Sequence, residues 1–379
     1  MKVLINAISV SEGGGLVVLK NLVLEMALLQ PAISWYVAAS PATLSKLDLM
    51  PNVTGIPFSW ANKSPLHLFY WYEWVVPRLI RQFKIDLFFS QTNFLPKRKL
   101  ACHSLLLVQH AGYFSDKFSK LYLKWAKKLK YLLLWKQKNR WAYQSIHKAT
   151  MVTVQTTALA KKIKDKLLIA SDRLFVVPHG TGLLKNDCPV SLSFPSNMEW
   201  RIGYITKFGV QKDFDTAIEA IHLLKRSGFH VKLILTLEQK SDEFLLLMKK
   251  IRQLGIEDNV ENHGDISNPD KIKKLYESLH MFIFPSWCES FGFTLVEAMA
   301  MGLPIVASDT ESNREISGDA GIFFPPGDAS QLAEKIKYFM NDSDQYSLFS
   351  KNSLERAKQF CWKKTAKQMI YNIHMIMEK

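Results

Sequence analysis

The segment Glu289-Ser-Phe-Gly-Phe-Thr-Leu-Val-Glu297 carries two carboxylates eight positions apart, with Gly292 between them. Behind it runs Thr294-Leu-Val-Glu-Ala-Met-Ala-Met301, a helix-like stretch. A glycine at the mouth of a helix lets backbone N–H groups approach a phosphate, and the helix N-terminus adds a partial positive charge. A glutamate on each side can accept hydrogen bonds from hydroxyls. Phosphate in the middle and hydroxyls at both ends describe a nucleotide-sugar. Each residue also has a plain structural reading. Glu289 could be a solvated loop carboxylate, Gly292 a turn glycine, and Glu297 a first-turn acid favoured by the helix dipole.

These residues need a scaffold. The chain has 379 residues, of which 48% are apolar, enough for two domains with a core each. In the first half, Val3–Ile8, Trp35–Ala39, Ile85–Ser90, Ser104–Val108, Met151–Gln155 and Leu174–Pro178 read as buried strands, and Leu16–Leu29 has helical apolar spacing. The stretch from about Leu183 to Trp200, through Cys188-Pro-Val-Ser-Leu-Ser-Phe-Pro-Ser-Asn197, loses all period and reads as a linker. The second half then restarts the alternation. Strands are expected at Arg201–Thr206, Val231–Thr236, Val260–His263 and Met281–Pro285, with helices at Asp215–Arg226, Asp242–Leu254 and Pro269–Leu279. Strands alternating with helices imply parallel sheets with helical crossovers. Ligands of such sheets collect outside the carboxyl ends of the strands, which is where Met281–Pro285 delivers Glu289.

The glutamate segment matches the paired-glutamate signature of the retaining glycosyltransferases of the GT-B fold, and resembles their large family 4. The resemblance continues through Gly302-Leu-Pro-Ile-Val-Ala-Ser308 and Ala320-Gly-Ile-Phe-Phe-Pro-Pro326. It implies an α/β chain of two facing Rossmann-like domains, with a C-terminal helix, Trp362–Met377, returning to the first. The expected divisions are 1–185 for the acceptor-side domain, 186–198 for the linker, 199–360 for the nucleotide-sugar domain, and 361–379 for the returning helix. By resemblance, Glu289 contacts the donor sugar, Glu297 holds the ribose hydroxyls, and Gly292, Phe293, Thr294 and Leu295 offer backbone N–H groups to the diphosphate. Lys212, in Lys212-Asp-Phe-Asp-Thr-Ala-Ile-Glu-Ala220, matches the family lysine that compensates the departing diphosphate.

This chain also departs from the family. Relatives carry an arginine shortly before that lysine, where Gly203-Tyr-Ile-Thr-Lys-Phe-Gly-Val-Gln211 places Tyr204, and Lys207 becomes the candidate second cation. Gly13-Gly14-Gly15 follows the first strand. It fits neither a dinucleotide fingerprint nor a phosphate-loop motif, and is either a turn or, as in GT-B enzymes, a donor contact through Gly14 and Gly15. His110, ending Leu105-Leu-Leu-Val-Gln-His110, is either a cleft residue or a satisfied structural histidine. Thr156, after a strand, is a further cleft candidate. In Val176-Val-Pro-His-Gly180, histidine stands where the family has asparagine, an architectural position.

The implied reaction moves a sugar from a nucleoside diphosphate donor to a hydroxyl of a glycan or lipid-linked glycan acceptor, in bacterial surface polysaccharide synthesis. No cofactor and no metal are expected. Asp213-Phe-Asp215 has the letters of a metal motif but the place of a helix cap. GDP-mannose, UDP-hexoses and dTDP-rhamnose all suit the motif. A non-hydrolysing nucleotide-sugar epimerase and a binding protein without turnover are the competing classes.

The net charge is +15. Much local charge lies between Lys117 and Lys148, at Lys120, Lys124, Lys127, Lys128, Lys130, Lys136, Lys138 and Arg140, interleaved with Trp125, Tyr131, Trp135, Trp141 and Tyr143. The segment is either a solvated helix with Leu129, Leu132 and Leu133 packed inward, or a surface helix at an anionic membrane leaflet. Nucleic-acid binding is not expected, since no recognised module accompanies these residues. No apolar run reaches the roughly 20 residues of a membrane span. Met1–Val10 reads as a buried strand rather than a signal peptide. The scattered Cys102, Cys188, Cys288 and Cys361 make no metal spacing. The expected location is cytoplasmic, peripheral on the inner leaflet.

Overall fold

The computed structural model describes residues 1–125, 129–181, 192–196 and 199–378. They form two compact units. The first comprises Met1–Ser115, Ala126–Gly180 and Cys361–Lys379, and the second Asp116–Trp125 and Thr181–Phe360.

Seven strands build the sheet of the first unit: β1 (Lys2–Asn6), β2 (Ser34–Ala39), β3 (Val53–Pro57), β4 (Leu87–Ser90), β5 (His103–Leu107), β6 (Met151–Val154) and β7 (Leu174–Val176). Their order is β3-β2-β1-β4-β5-β6-β7, and every pairing is parallel. Residues such as Val3, Leu4, Ile5, Phe88, Phe89, Leu105 and Leu106 are wholly buried, as expected of a parallel sheet covered on both faces. The second unit repeats the scheme with β8 (Trp200–Tyr204), β9 (Val231–Leu235), β10 (Val260–Asn262), β11 (Met281–Phe284), β12 (Ile305–Ser308) and β13 (Gly321–Phe324). Their order is β10-β9-β8-β11-β12-β13, again all parallel. In each sheet the winding reverses once, between β1 and β4 and between β8 and β11. In sheets of this kind, ligands collect beyond the carboxyl ends of the strands at such a reversal.

The chain's last helix, Trp362–Met377, belongs to the first unit. It buries Trp362, Ala366, Met369, Ile373 and Ile376. Thr365 Oγ1 donates to the Pro178 carbonyl at 2.7 Å, and Gln368 Nε2 to the Val176 carbonyl at 3.0 Å. The His179 ring stacks on Trp362 at 5.5 Å, and burial pushes its imidazole pKa down to about 3, so it packs as a neutral ring. Gly180 is required by proximity: a Cβ there would lie 2.4 Å from the Trp362 backbone nitrogen.

The basic aromatic segment is two helices, in different units. Asp116–Trp125 clusters with the second unit and Leu129–Lys148 with the first, so the first domain is not one run from residue 1 to 185. In the longer helix aromatic rings fill the inner face. Trp135 is buried, Trp141 Nε1 donates to the Leu95 carbonyl at 2.8 Å, and Tyr143 OH to the Tyr113 carbonyl at 2.6 Å. Leu133, expected to pack inward, is exposed beside Tyr131 and Leu134. Lys127, Lys128 and the side chains of Leu129 and Lys130 lie outside the described residues. So do 186–191, 197 and 198 of the expected linker, including Cys188. Its described part packs Leu192 and Phe194 onto the second core. No described helix is long and apolar enough to cross a membrane.

Substituting Gly180→Ala should cost roughly 1–3 kcal/mol through overpacking against Trp362. Thermal denaturation should show the loss as a Tm several degrees lower, and an unchanged Tm would contradict the close approach.

Candidate functional site

The site of the second unit starts at its switch point, where β11 pairs with β8 through Met281 with Ile202 and Phe282 with Gly203. The chain leaving β8 folds back along the chain leaving β11. Lys212 and Ser286 form an isolated antiparallel bridge. Trp287 N donates to the Gln211 carbonyl at 2.8 Å, and Asp213 N to the Pro285 carbonyl at 3.0 Å. Tyr204, the residue in the arginine position, is wholly buried and donates its hydroxyl to the Pro285 carbonyl at 2.7 Å. It therefore fixes the turn and brings no charge.

This pairing brings together two side chains 77 residues apart. Lys212 Nζ lies 2.5 Å from Glu289 Oε1, with both side chains only 10% exposed. The ammonium also lies 4.6 Å from the centroid of the Phe284 ring. Ser312 Oγ donates to the Glu289 carbonyl at 2.9 Å, and Ser286 N to Ser308 Oγ at 2.9 Å, so the glutamate's loop is tied to the end of β12 and to the helix Glu311–Ser317. Asp213 caps the next helix, Phe214–Arg226, accepting from Thr216 N at 3.2 Å and from Thr216 Oγ1 at 2.7 Å. Capping is the role expected of Asp213. Burial raises its pKa, against the hydrogen bonds from Thr216 and the nearby charge of Lys117.

Gly292 precedes the helix Phe293–Ala300 with φ +81°, a left-handed conformation that favours glycine. A Cβ would also come within 3.2 Å of Phe284 Cζ. No side chain caps this helix and no acid sits in its first turn. The opening amides of Phe293 and Thr294 are thus not served by a capping side chain, while Leu295 N already donates to the Gly292 carbonyl at 3.0 Å. Leu295 is therefore an anchor of the turn rather than an amide offered outward. Glu297 lies beyond the first turn, which removes the dipole reading for it. Tyr276, buried on the helix Pro269–Glu277, donates its hydroxyl to Glu297 Oε2 at 3.0 Å. Desolvation raises the Glu297 pKa to about 7, the Tyr276 hydrogen bond opposing it.

The remaining candidates take other places. Lys207 pairs with Asp265 at 3.0 Å, both side chains about half exposed, an arrangement far from the enclosed Lys212–Glu289 contact in character. Gly14 and Gly15 lie in the first turn of the helix Gly13–Leu29 rather than in a loop, and that helix has no side-chain cap. His110, in the first unit, accepts the Gly112 amide on Nδ1 at 3.0 Å and stacks on Tyr113 at 4.6 Å. Burial lowers its pKa to about 4, so the ring is neutral near pH 7 and serves its own turn. Thr156 caps the helix Thr157–Leu167 by accepting from Leu159 N at 3.2 Å.

Three residues escape a reading of the sequence alone. Tyr276 lies 21 residues before Glu297, and nothing in the spacing announces their contact. Trp287 packs so closely on Gly327 that a Cβ there would lie 2.5 Å from its Cη2. Lys117, hidden in a charge run, holds its ammonium 3.8 Å from the centroid of the Trp287 ring. Together the second unit presents a cation, helix-opening amides and two carboxylates of unlike surroundings. That set can hold an anion between hydroxyl-bearing groups.

Residues 193–356 match the family described as glycosyl transferases group 1. The O-antigen chain mannosyltransferase B of Escherichia coli is 34% identical over 103 residues, 27% of this chain and 27% of its own length. The capsular polysaccharide biosynthesis glycosyltransferase CapM of Staphylococcus aureus is 25% identical over 170 residues, 43% of this chain and 42% of its own. The chain thus matches less than half the length of either curated relative. The crystal structure of Anabaena Alr3699/HepE in complex with UDP-glucose has a TM-score of 0.73 at 17% identity, covering 99% of this chain and 100% of that one, which establishes likeness of fold. Residues 193–356 thus resemble the glycosyl transferases group 1 family, and the two parallel sheets have the fold of the paired Rossmann-like domains of GT-B structures.

Proposed function

We propose that this chain is a retaining glycosyltransferase that moves a sugar from a nucleoside diphosphate donor to a hydroxyl of a lipid-linked glycan acceptor, in the synthesis of a bacterial surface polysaccharide of O-antigen or capsule type. The observation that carries this reading is the enclosed Lys212–Glu289 pair beside the glycine-led helix Phe293–Ala300, at the switch point of the second sheet. The named relatives make O-antigen and capsular polysaccharide, and the structural neighbour was solved with UDP-glucose, which supports the donor class.

In this reading the diphosphate takes Lys212 and the Phe293 and Thr294 amides as partners. Glu289 is then released toward the donor sugar's hydroxyls, and Glu297 accepts from the ribose. The bond between the anomeric carbon and the phosphate oxygen breaks. The acceptor oxygen bonds the same face of that carbon, and its proton passes to the departing phosphate. Lys212 and the helix amides compensate the developing charge with no metal required. Gly14, Gly15 and the neutral His110 belong to the first unit, and in this reading they serve the acceptor.

The membrane part of the proposal rests on exposure. Tyr131, Leu133 and Leu134 are exposed on the same helix as exposed Lys136, Lys138 and Arg140. The first unit also exposes Leu66, Phe69, Tyr70 and Trp74, with Lys97 5.3 Å from the Phe69 ring centroid and Arg98 4.9 Å from that of Trp74. Apolar and aromatic groups mixed with cations suit an anionic interface, where a lipid-linked acceptor would lie.

The chain incubated with a panel of nucleotide-sugars and a lipid-linked acceptor extract should release nucleoside diphosphate and label the acceptor. Lys212→Ala should lower kcat by roughly 10²–10³-fold, the loss typical of removing one group that stabilises transition-state charge. An isomerised nucleotide-sugar in place of labelled acceptor, or undiminished transfer by Lys212→Ala, would overturn the reading.

Glu297 gives a pH test. Its ionised form is the better acceptor for ribose hydroxyls, so nucleoside diphosphate affinity, read by calorimetry, should strengthen as pH rises through about 7. Glu297→Gln should remove that step and leave only the titration of the phosphate itself. The stability sign is opposite: a carboxyl held above its ordinary pKa favours the fold below the usual carboxylate range, and that contribution is lost as pH rises through about 7. A diphosphate affinity whose pH profile is identical in both proteins would contradict the assignment.

Anionic vesicles should sediment the protein at low salt and release it at high salt. The triple change Lys136→Glu, Lys138→Glu, Arg140→Glu should weaken this by about 1 kcal/mol per removed cation, before any added repulsion. No sedimentation at low salt would dismiss the membrane surface.

A further inference from the structure

We infer that Lys117 is a second cation at the donor diphosphate, supplied by a helix that the sequence places in the first half of the chain. The inference rests on the donor reading above and assigns a residue that the family's pattern does not.

Asp116–Trp125 lies among first-domain residues in sequence, yet it clusters with the second unit. Its Lys117 holds Nζ 3.8 Å from the centroid of the Trp287 ring. Trp287 stands two residues before Glu289, and its amide is fastened to Gln211, the neighbour of Lys212. Lys117 therefore stands over the same short pair of segments, 211–213 and 285–289, that holds the Lys212–Glu289 contact. The Trp287 ring is itself fixed, being pressed onto Gly327, so the ammonium rests on a rigid platform. Asp213, on the same pair of segments, feels its charge, since Lys117 draws the Asp213 pKa down against burial.

The charge balance of the site calls for such a group. Lys212 is already matched by Glu289, so an incoming diphosphate with more than one negative charge meets little net positive charge from that pair. Lys207, expected from sequence to help, is engaged with Asp265. Among the described residues, no carboxylate lies within ion-pairing distance of Lys117, and the side chain is exposed, so a ligand can reach it. An ammonium on an aromatic face is held more weakly than one hydrogen-bonded to a phosphate oxygen. Diphosphate binding can thus draw Lys117 from Trp287 without breaking an ion pair.

The test is calorimetric binding of UDP, GDP and dTDP, and of the matching monophosphates, to the full chain and its variants. For the diphosphate that binds, Lys117→Gln should weaken affinity about ten-fold, as for loss of a charge-assisted hydrogen bond. The monophosphate should change by less than about two-fold, because the missing contact is to the outer phosphate. Lys117→Arg should retain most of the diphosphate affinity. Lys120→Gln, the same charge change on the same helix, should alter neither. Equal losses for di- and monophosphate, or no loss, would overturn the assignment. If Lys117→Gln binds like wild type while Lys212→Gln loses the diphosphate, the donor reading stands and Lys117 has no part in it. If the wild-type chain binds none of the diphosphates, the donor reading falls and this inference with it.

Discussion

Lys212 and Glu289 are both drawn 90% out of water, and each makes the other's burial tolerable. A lone charge moved into a protein interior costs several kcal/mol, so neither side chain would settle there without its partner. Their 2.5 Å contact is therefore a condition on the whole local structure. It requires the turn after β8 to lie antiparallel to the turn after β11. The Lys212–Ser286 bridge, the Trp287 and Asp213 amide bonds and the Tyr204 hydroxyl on Pro285 meet that requirement. Because the pair is internally neutral, neither charge is left unmatched before a ligand arrives. An anion can take over the lysine and free the carboxylate for hydroxyls.

Topology explains why this contact arises where it does. In a sheet ordered β10-β9-β8-β11-β12-β13, the strands flanking the winding reversal are β8 and β11, and their loops are the ones that can meet without a crossing helix between them. Glu297 answers to a different surrounding. It sits on the helix rather than the turn, faces the buried Tyr276, and holds its proton to about pH 7. The two glutamates look alike in the sequence, yet one is matched by a cation and the other by a phenol. They therefore suit different tasks on one ligand.

Much of the frame is legible in the residues. Apolar runs locate six of the first sheet's strands to within about two residues, because strands buried on both faces read as continuous apolar segments. The strand Val53–Pro57 escapes that reading. It is the edge of its sheet, and its Gly55 and Pro57 break the apolar pattern. The Glu289–Gly292–Glu297 motif lies at a strand end as expected, and Gly292 has the positive φ its position implies. What spacing cannot carry is pairing. Lys207 is the nearer cation in sequence but finds Asp265, while Lys117, nearly a hundred residues earlier, finds Trp287. The basic run reads as one surface because charge counts do not reveal that its two helices join different units. His110 and Thr156 look open to a ligand at strand ends, but both side chains are engaged in closing their own turns.

A structure of the protein with an intact, non-transferable nucleotide-sugar analogue tests the central claim most directly. The diphosphate should lie between Lys212 Nζ and the amides of Phe293 and Thr294, with Lys212 no longer paired to Glu289 and Glu289 turned to the sugar hydroxyls. A diphosphate bound elsewhere, with the Lys212–Glu289 contact still closed at its present 2.5 Å, would contradict it.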